Sequence, residues 1–373
     1  MNIALLGFGT VGSHFYKMAQ EHSELNISAV LSRRPRPELA CTVTADFDEI
    51  VRDGSIDTVV EVIGGVEPAY SYITAAMRAG KHVVTANKQL MCAHYEDLLS
   101  LAKECGVRLR CTAAAGGGIP WLTSLARVEK MDEIDAVEGI LNGTTNFMLS
   151  AMTANGADYG AVLREAQALG YAEADPTADV EGLDARRKLV LSANLAFGVS
   201  VQEADIPCVG ISHITAADID KAKEWGYTFK LIARAERAQR AGAVAAFVCP
   251  TLFPVSAPEA HTDGTGNLVS LYARRIGKQS FSGAGAGGFP TASNVLADCF
   301  AVMAGCESYY TDKAAPCAVD NSTAASRWLF RRNGQYEFAE CSAEEAFARC
   351  DADLQSDPCA LLARVADTDQ KEE

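Results

Sequence analysis

The chain opens with Asn2-Ile-Ala-Leu-Leu-Gly-Phe-Gly-Thr-Val-Gly12, in which a short apolar run leads directly into a glycine-rich turn. The run predicts a buried strand, and a helical pattern begins at Val11. In this context Gly7 permits the tight turn, Gly9 lets the backbone approach a pyrophosphate, and Gly12 lets the helix pack against the strand. The stretch therefore predicts a dinucleotide-binding turn; a merely structural turn is the alternative. Its members are Gly7, Phe8, Gly9, Thr10, Val11 and Gly12.

The second predicted strand, Ile27–Leu31, ends in Ser32-Arg33-Arg34. A site selective for NAD usually carries an acid at this point, where it binds a ribose hydroxyl. Two arginines and a small hydroxyl suit a 2′-phosphate instead, so the sequence favours NADP, with NAD as the second choice. The alternative is that Arg33 and Arg34 are solvated loop residues.

Strand patterns recur at Thr58–Val62, His82–Thr85 and Val107–Cys111, and helical patterns lie between them near Pro68–Ala79 and Tyr95–Glu104. Strands that alternate with helices predict an α/β fold whose N-terminal domain is a Rossmann-type, doubly wound parallel sheet. Ligands of such sheets gather at the carboxyl ends of the strands.

Further candidates for ligand contacts lie at those carboxyl ends. Gly64 follows the third predicted strand, and Lys88 follows the fourth, where a solvated loop lysine is the alternative. A second glycine-rich loop, Gly283–Ser293, precedes a predicted helix at Asn294–Met303. This returning segment could close over the cofactor, which makes Gly285 a candidate contact.

The regular alternation of strands and helices stops after Ala113, which predicts a second domain of α+β type for catalysis and dimerisation. We therefore predict a Rossmann domain over residues 1–113, completed by 283–305. Residues 114–282 would form the substrate-binding and dimerisation domain. Residues 306–373 would form a C-terminal extension of unknown role.

The strands predicted between Ile134 and Tyr272 have no evident second layer of helices for their outer face. A sheet with an uncovered apolar face needs a partner, and a two-fold dimer is the simplest closed arrangement. We therefore predict a homodimer joined through these strands. The alternative is a monomer in which helices such as Asp158–Leu169 cover the sheet.

Composition narrows the class of protein. The 373 residues are 49% hydrophobic and 22% charged, enough for two domains with buried cores. A net charge of −15 argues against a nucleic-acid-binding surface, and no apolar run approaches the roughly 20 residues of a membrane span. The N-terminus lacks the features of a signal peptide, so we expect a cytoplasmic protein with reduced thiols. The twelve cysteines are spaced too widely to suggest zinc.

The segment Gly170–Lys188 is rich in acids and ends in basic residues. Pro176 and Gly182 predict a loop in its first part, and an apolar helix follows. On that helix Asp184 and Lys188 lie four residues apart and share a face. A lysine held beside a carboxylate in a cleft is a candidate proton donor, whereas the alternative is a solvated ion pair.

Taken together and in this order, these segments resemble those of homoserine dehydrogenase from the N-terminus to about Met303. The matching segments are Gly7–Gly12, Thr85–Lys88, Gly116–Pro120, Gly139–Thr145, Gly170–Lys188 and Gly283–Ser293. The resemblance implies NADPH-dependent reduction of L-aspartate 4-semialdehyde to L-homoserine, and the reverse reaction, in threonine and methionine biosynthesis.

The resemblance also implies roles for individual residues. Lys188 would donate a proton to the substrate carbonyl. Three acids would hold the substrate's amino group or position the lysine: Glu173, Asp179 and Asp184. Thr144 would line the substrate pocket, and Lys88 would lie by the nicotinamide and the substrate carboxylate.

Two features common in that family are not expected here. Its sodium site uses a glutamate and main-chain carbonyls before Gly116, and Thr112 stands where the glutamate would be. Its C-terminal ACT domain has a double βαβ pattern, which the residues after Gly305 lack. We therefore expect no metal, no threonine feedback through that module and a monofunctional enzyme.

Two other functions stay open from the sequence. One is another NAD(P)-dependent dehydrogenase of an amino or hydroxy acid, against which only Gly170–Lys188 argues. The other is a non-catalytic, dinucleotide-binding redox sensor, which would have little use for Lys188 beside three acids. Turnover of aspartate semialdehyde with NADPH separates the three.

Overall fold

The computed structural model describes residues 1–238, 240, 242–306 and 315–366. The strands, in chain order, are β1 (Asn2–Leu6), β2 (Asn26–Leu31), β3 (Thr42–Thr44), β4 (Thr58–Glu61), β5 (His82–Thr85), β6 (Leu109–Arg110), β7 (Ile134–Ile140), β8 (Val199–Ser200), β9 (Tyr227–Arg237), β10 (Ala243–Pro254), β11 (Gly266–Ala273), β12 (Gly277–Ala284), β13 (Ala315–Pro316), β14 (Ala318–Val319), β15 (Ala325–Arg332), β16 (Gln335–Ser342) and β17 (Leu361–Val365).

The α-helices, in chain order, are α1 (Thr10–Ala19), α2 (Phe47–Arg52), α3 (Ala69–Arg78), α4 (Lys88–Ala93), α5 (Tyr95–Glu104), α6 (Trp121–Glu129), α7 (Gly143–Asn155), α8 (Tyr159–Ala168), α9 (Thr177–Val180), α10 (Leu183–Phe197), α11 (Ala216–Glu224), α12 (Gly288–Met303) and α13 (Ala343–Ser356). None of the helices in the described ranges is long and apolar enough to cross a membrane.

The described residues form two compact units. The first unit comprises Met1–Met131, Asn194–Ser200 and the described part of Ala284–Ala315. The second unit comprises Asp132–Ala193 and the described parts of Val201–Gly283 and Pro316–Glu373. The predicted functions of the domains stay predictions.

The first unit is built on a six-stranded sheet in the order β3-β2-β1-β4-β5-β6. Every neighbouring pair of these strands is parallel. This is the strand order of the doubly wound dinucleotide-binding fold, in which the order reverses next to the first strand. The predicted α/β fold class is therefore confirmed.

The core of the first unit includes the helix that follows the second glycine-rich loop. Val295 and Cys299 of α12 lie in the same buried cluster as Phe15 of α1 and Val60 of β4. The loop itself is shorter than the sequence predicted, because β12 runs to Ala284 and α12 already begins at Gly288. Pro290 lies in the first turn of α12, where proline is tolerated, so the helix can begin before it.

The second unit is built on a mixed sheet in the order β12-β11-β7-β9-β10-β17-β15-β16, with β14 beside β10. Most neighbours are antiparallel, but β10 pairs in parallel with both β14 and β17. The C-terminal strands therefore extend the sheet of this unit.

Strand β10 is buried along both faces from Ala243 to Phe253. On one face Phe247 packs with Trp328 of β15 and Phe347 of α13. The expectation that this sheet has no second layer of helices is wrong at β10, because the C-terminal residues supply the cover. The exposed strand is instead β12, at the edge of the sheet.

Candidate active site

The glycine-rich turn has the geometry that a dinucleotide requires. Gly7 has a φ of 98°, and a Cβ on it would lie 3.0 Å from the Val62 carbonyl oxygen. A Cβ on Gly12 would lie 2.3 Å from the Gly7 oxygen, so neither position accepts a side chain. A Cβ on Gly9 would meet nothing within 4 Å. Open space therefore borders Gly9, at the N-terminal end of α1.

Helix α1 begins at Thr10, and its N-cap residue Gly9 offers no side-chain cap. The first N–H groups of a helix have no intrahelical partner, and the helix dipole adds partial positive charge there. The first turn also carries no acid. This end of α1 can therefore bind a phosphate group, as in other dinucleotide sites.

Arg33 and Arg34 follow β2 and both are exposed. Ser32, before them, donates its hydroxyl proton to the Arg34 carbonyl oxygen at 2.8 Å. A third arginine, Arg36, was not among the candidates, yet it contacts the glycine-rich turn. Its guanidinium carbon lies 5.1 Å from the centre of the Phe8 ring, and its Nη2 donates to the Phe8 carbonyl at 3.4 Å. The only sequence signal was its place in the same basic stretch.

A buried acid shapes the loop that contains Gly64. Glu61, at the end of β4, accepts hydrogen bonds from the backbone N–H of Ile63 at 2.7 Å and of Gly64 at 3.2 Å. Its other oxygen accepts from the Thr85 hydroxyl at 2.5 Å. Burial raises the pKa of Glu61, and these hydrogen bonds oppose the rise. Glu61 was not among the sequence candidates, and the signal that pointed to it was a single acid within an apolar strand.

The sequence predicted that Lys88 lies in a loop. In the structure it is the first residue of α4. Asn87 starts this helix, because its side-chain oxygen accepts from the Leu90 N–H at 3.1 Å. The Asn87 amide also donates to the Gly65 carbonyl at 2.5 Å. The carboxyl ends of β4 and β5 are thus tied together next to Lys88.

Gly285, the candidate contact of the returning segment, lies against the loop before α6. A Cβ on Gly117 would lie 2.3 Å from the Gly285 carbonyl carbon. The Gly118 N–H donates to the Ala284 carbonyl oxygen at 3.0 Å. From α12, the Asn294 amide donates to the Ile119 carbonyl at 3.1 Å. The two glycine-rich loops of the first unit therefore pack directly on each other.

Thr112 supplies no carboxylate for the sodium site of the resembled family. Its N–H and its hydroxyl both donate to Asp298 on α12, at 2.8 and 2.7 Å. Arg110 completes this buried group through its Nε, 2.9 Å from Asp298. In the described part of the chain, no group of three or more His, Cys, Asp or Glu side chains could hold a metal ion.

In the second unit, α10 presents the predicted acid and lysine as a buried pair. Asp184 Oδ2 lies 2.8 Å from Lys188 Nζ, and the two side chains are 11% and 9% exposed. The ammonium also donates to the Leu141 carbonyl at the end of β7, at 2.6 Å. The pair is therefore not the solvated surface pair that was the alternative.

Asn142, which sequence analysis did not select, bridges this pair to a second acid. Its Nδ2 donates to Asp179 Oδ1 at 2.7 Å and to Asp184 Oδ2 at 3.0 Å. Burial raises the pKa of Asp179, the charge of Asp184 raises it further, and the Asn142 hydrogen bond opposes both. The position of Asn142 within the Gly139–Thr145 motif was the signal that pointed to it.

The two other predicted substrate residues differ in position. Thr144, in the first turn of α7, donates its hydroxyl to the Tyr171 carbonyl at 2.7 Å, and its polar side chain lowers the pKa of the nearby Asp179. Glu173 is exposed, and among the described residues its carboxylate has no hydrogen bond or ion pair with the cluster. The structure thus brings together Asp179, Asp184, Lys188 and Thr144 but not Glu173.

Comparison with known proteins supports the resemblance to homoserine dehydrogenase along most of the chain. Residues 7–112 match the family model for the homoserine dehydrogenase NAD binding domain, and residues 120–300 match that for homoserine dehydrogenase. The homoserine dehydrogenase of Corynebacterium glutamicum is 44% identical over 317 residues, which are 80% of this chain and 71% of that protein. That of Bacillus subtilis is 41% identical over 317 residues, covering 81% and 73%.

A solved structure of a homoserine dehydrogenase from Thiobacillus denitrificans superposes with a TM-score of 0.90 at 30% identity, over 98% of both chains. That of S. aureus at pH 7.5 gives 0.74 at 31% identity, over 99% of this chain and 94% of that one. A parallel sheet with a dinucleotide-binding turn and a second unit with a buried lysine–acid cluster agree with these matches. The chain belongs to the homoserine dehydrogenase family of NAD(P)-dependent oxidoreductases, which act on a CH–OH group.

Proposed function

We propose that this protein reduces L-aspartate 4-semialdehyde to L-homoserine with NADPH, and catalyses the reverse reaction, for threonine and methionine biosynthesis in the cytoplasm. The observation that carries the proposal is the buried ammonium of Lys188, held 2.8 Å from Asp184 Oδ2 and 2.6 Å from the Leu141 oxygen. Two fixed partners orient a three-proton donor so that one N–H is left for a substrate oxygen.

Lys188 is the proton donor in this mechanism. A nicotinamide dinucleotide, when bound, would supply the hydride that the carbonyl carbon takes up in the reduction. Negative charge develops on the carbonyl oxygen, and the Lys188 ammonium stabilises this charge and transfers one proton to it. In the reverse direction the neutral amine of Lys188 takes the hydroxyl proton from homoserine. Asp184 keeps the amine in place in both directions.

Asp179 receives the substrate's ammonium group. Lys188 matches the charge of Asp184, whereas within the described residues no cation lies at ion-pair distance from Asp179. A half-buried carboxylate without a cation is unfavourable, and an amino-acid substrate supplies the missing charge. Thr144 lines the same pocket, and Glu173 contributes from the preceding loop when the substrate is bound.

The first unit takes the cofactor. The N-terminus of α1 would hold its pyrophosphate, and Gly64 and Gly285 would contribute further contacts. Arg33 and Arg34 bind the 2′-phosphate and so favour NADPH over NADH. Lys88, which follows β5, would contact the nicotinamide and the substrate carboxylate.

The protein is a homodimer joined through the sheet of the second unit. Strand β12 supports this proposal, because it is exposed over most of Gly277–Ala284 and, among the strands of the described residues, pairs only with β11. An exposed edge strand presents unpaired N–H and C=O groups that a partner can cover.

The assay that tests the function follows the loss of nicotinamide absorbance as purified protein is mixed with NADPH and L-aspartate 4-semialdehyde. We expect turnover of this aldehyde, and oxidation of L-homoserine when NADP is supplied. A protein that turns over neither substrate, but does oxidise or reduce another amino or hydroxy acid, contradicts the proposal.

A further inference from the structure

A single corner of the second unit brings Asp179, Asp184 and Lys188 together. At the junction of β7 and α7, the Leu141 carbonyl accepts from Lys188, and the next residue, Asn142, donates to both Asp179 and Asp184. We propose that Asn142 is a positioning residue of the reaction, whose amide keeps the two carboxylates side by side in their separate roles. This inference rests on the proposed function, in which Asp184 orients the lysine and Asp179 receives the substrate's ammonium.

The orientation of the Asn142 amide is set by its partners. Its Oδ1 accepts from the backbone N–H of Thr145 at 2.8 Å, as the N-cap of α7. A backbone N–H can only donate, so the amide oxygen must face it. The Nδ2 group must then face the acids, and its two N–H bonds match the two carboxylates. Asn142 is 4% exposed, so water has little access to compete for these bonds.

The amide offsets a repulsion between like charges. The charged groups that face Asp179 from α10 are Asp184 and Lys188, and α7 carries no ionisable side chain. On its own segment Asp179 has acids on either side in sequence, Asp175 and Glu181. Hydrogen bonds to a charged group stabilise the charged form, so the Asn142 amide favours the ionised form of both acids.

The alternative is that Asn142 serves only as a helix cap. Serine is an equally good N-cap, because its hydroxyl oxygen accepts the same backbone hydrogen bond. A serine side chain has one donor and cannot bridge two carboxylates. Asn142→Ser therefore keeps the cap and removes the bridge, whereas Asn142→Ala removes both. A control elsewhere in the unit is Asp158→Ala, which removes the cap of α8.

The experiment compares homoserine oxidation by these variants and wild type across pH, together with melting temperatures. We expect Asn142→Ser to lower kcat/KM for homoserine by about ten- to one-hundred-fold, the scale of a hydrogen bond lost to a charged group. The acid limb of its kcat/KM profile should move to higher pH, because Asp179 then protonates more readily. The KM for NADP should not change. Asn142→Asp keeps the capping oxygen and adds a third carboxylate, so its loss should be larger.

Asp158→Ala should lower the melting temperature and leave the pH profile in place. An Asn142→Ser enzyme with wild-type kcat/KM and an unmoved acid limb overturns the inference and leaves Asn142 as a cap. If Asn142→Ser does not fold, the pH profile of Asn142→Asp is the test. An unmoved acid limb in that variant then overturns the inference. A wild type that does not oxidise homoserine contradicts the proposed function itself, whereas an active wild type with an unaffected serine variant contradicts only the role of Asn142.

Discussion

The carboxylate of Asp184 lies 2.8 Å from the ammonium of Lys188, one turn further along α10, and both side chains are almost fully buried. Taking two charges out of water costs free energy that their attraction only partly offsets. A buried ion pair of this kind therefore contributes little to the stability of the fold. Its retention in a buried cluster with a second acid is better explained by proton transfer, which needs a donor in a fixed position.

Replacement of Lys188 by alanine should lower kcat by roughly two to four orders of magnitude, the usual scale for a general acid. Binding of NADPH should be nearly unchanged, because Lys188 belongs to the second unit and the dinucleotide turn to the first. Steady-state kinetics and a fluorescence titration with NADPH measure the two effects. Lys221→Ala is the matched control, since that lysine forms an exposed ion pair with Glu224. Near-normal turnover by Lys188→Ala would show that another group donates the proton.

Replacement of both Arg33 and Arg34 by alanine should raise the KM for NADPH far more than that for NADH. The reason is that only NADPH carries a 2′-phosphate for the arginines to bind. Initial rates with each cofactor at saturating aldehyde measure the ratio. Arg36→Ala is the comparison, because Arg36 contacts Phe8 of the glycine-rich turn and should affect both cofactors. Equal effects of the double change on NADPH and NADH, or a wild type that prefers NADH, would make Arg33 and Arg34 solvated loop residues.

The stability of the second unit should depend on Glu138 at acidic pH. Burial alone would raise the pKa of Glu138, but Arg234 and Arg364, with a hydrogen bond from Tyr272, lower it to about 2 from the usual 4.5. Because the folded pKa is the lower one, the unfolded chain binds more protons between these values. The stabilisation from Glu138 is therefore complete above about pH 4.5 and is lost as the pH falls toward 2.

Urea unfolding of wild type and Glu138→Gln between pH 3 and 7 measures this effect. The difference in unfolding free energy should be a few kcal/mol at pH 7, about what a shift of this size corresponds to, and should shrink toward pH 3. A control is Glu337→Gln, which removes an exposed partner of Arg349. A difference for Glu138→Gln that is the same at every pH would mean that the carboxylate is not kept ionised by the two arginines.

The purified protein should have a mass near twice 39.6 kDa in solution. The exposed edge strand β12 is the surface on which this expectation now depends, since β10 is covered within the chain. Light scattering at micromolar concentration measures the mass. A value near that of a single chain would leave the proposed homodimer without support, whatever the enzyme's activity.

Sequence alone determined the elements whose signal is local. The alternation of strands and helices predicted the parallel sheet, and the spacing of Gly7, Gly9 and Gly12 between a strand and a helix predicted its dinucleotide turn. The four-residue spacing of Asp184 and Lys188 predicted their contact, because residues at this spacing meet on any α-helix. The strands and helices that were predicted in the first 110 residues were correct to within a few residues for the same reason, whereas the short elements β3, α2 and α4 were not predicted.

Only the tertiary structure decided which distant residues meet. Asn142 lies 37 residues before Asp179 and 42 before Asp184, and no local pattern relates these positions. Strand β17 lies between β10 and β15 in the second sheet, yet a five-residue apolar run does not reveal its neighbours in a sheet. Hydrophobic periodicity reports how each segment folds by itself, whereas strand pairing and side-chain bridges depend on the packing of segments far apart in the chain.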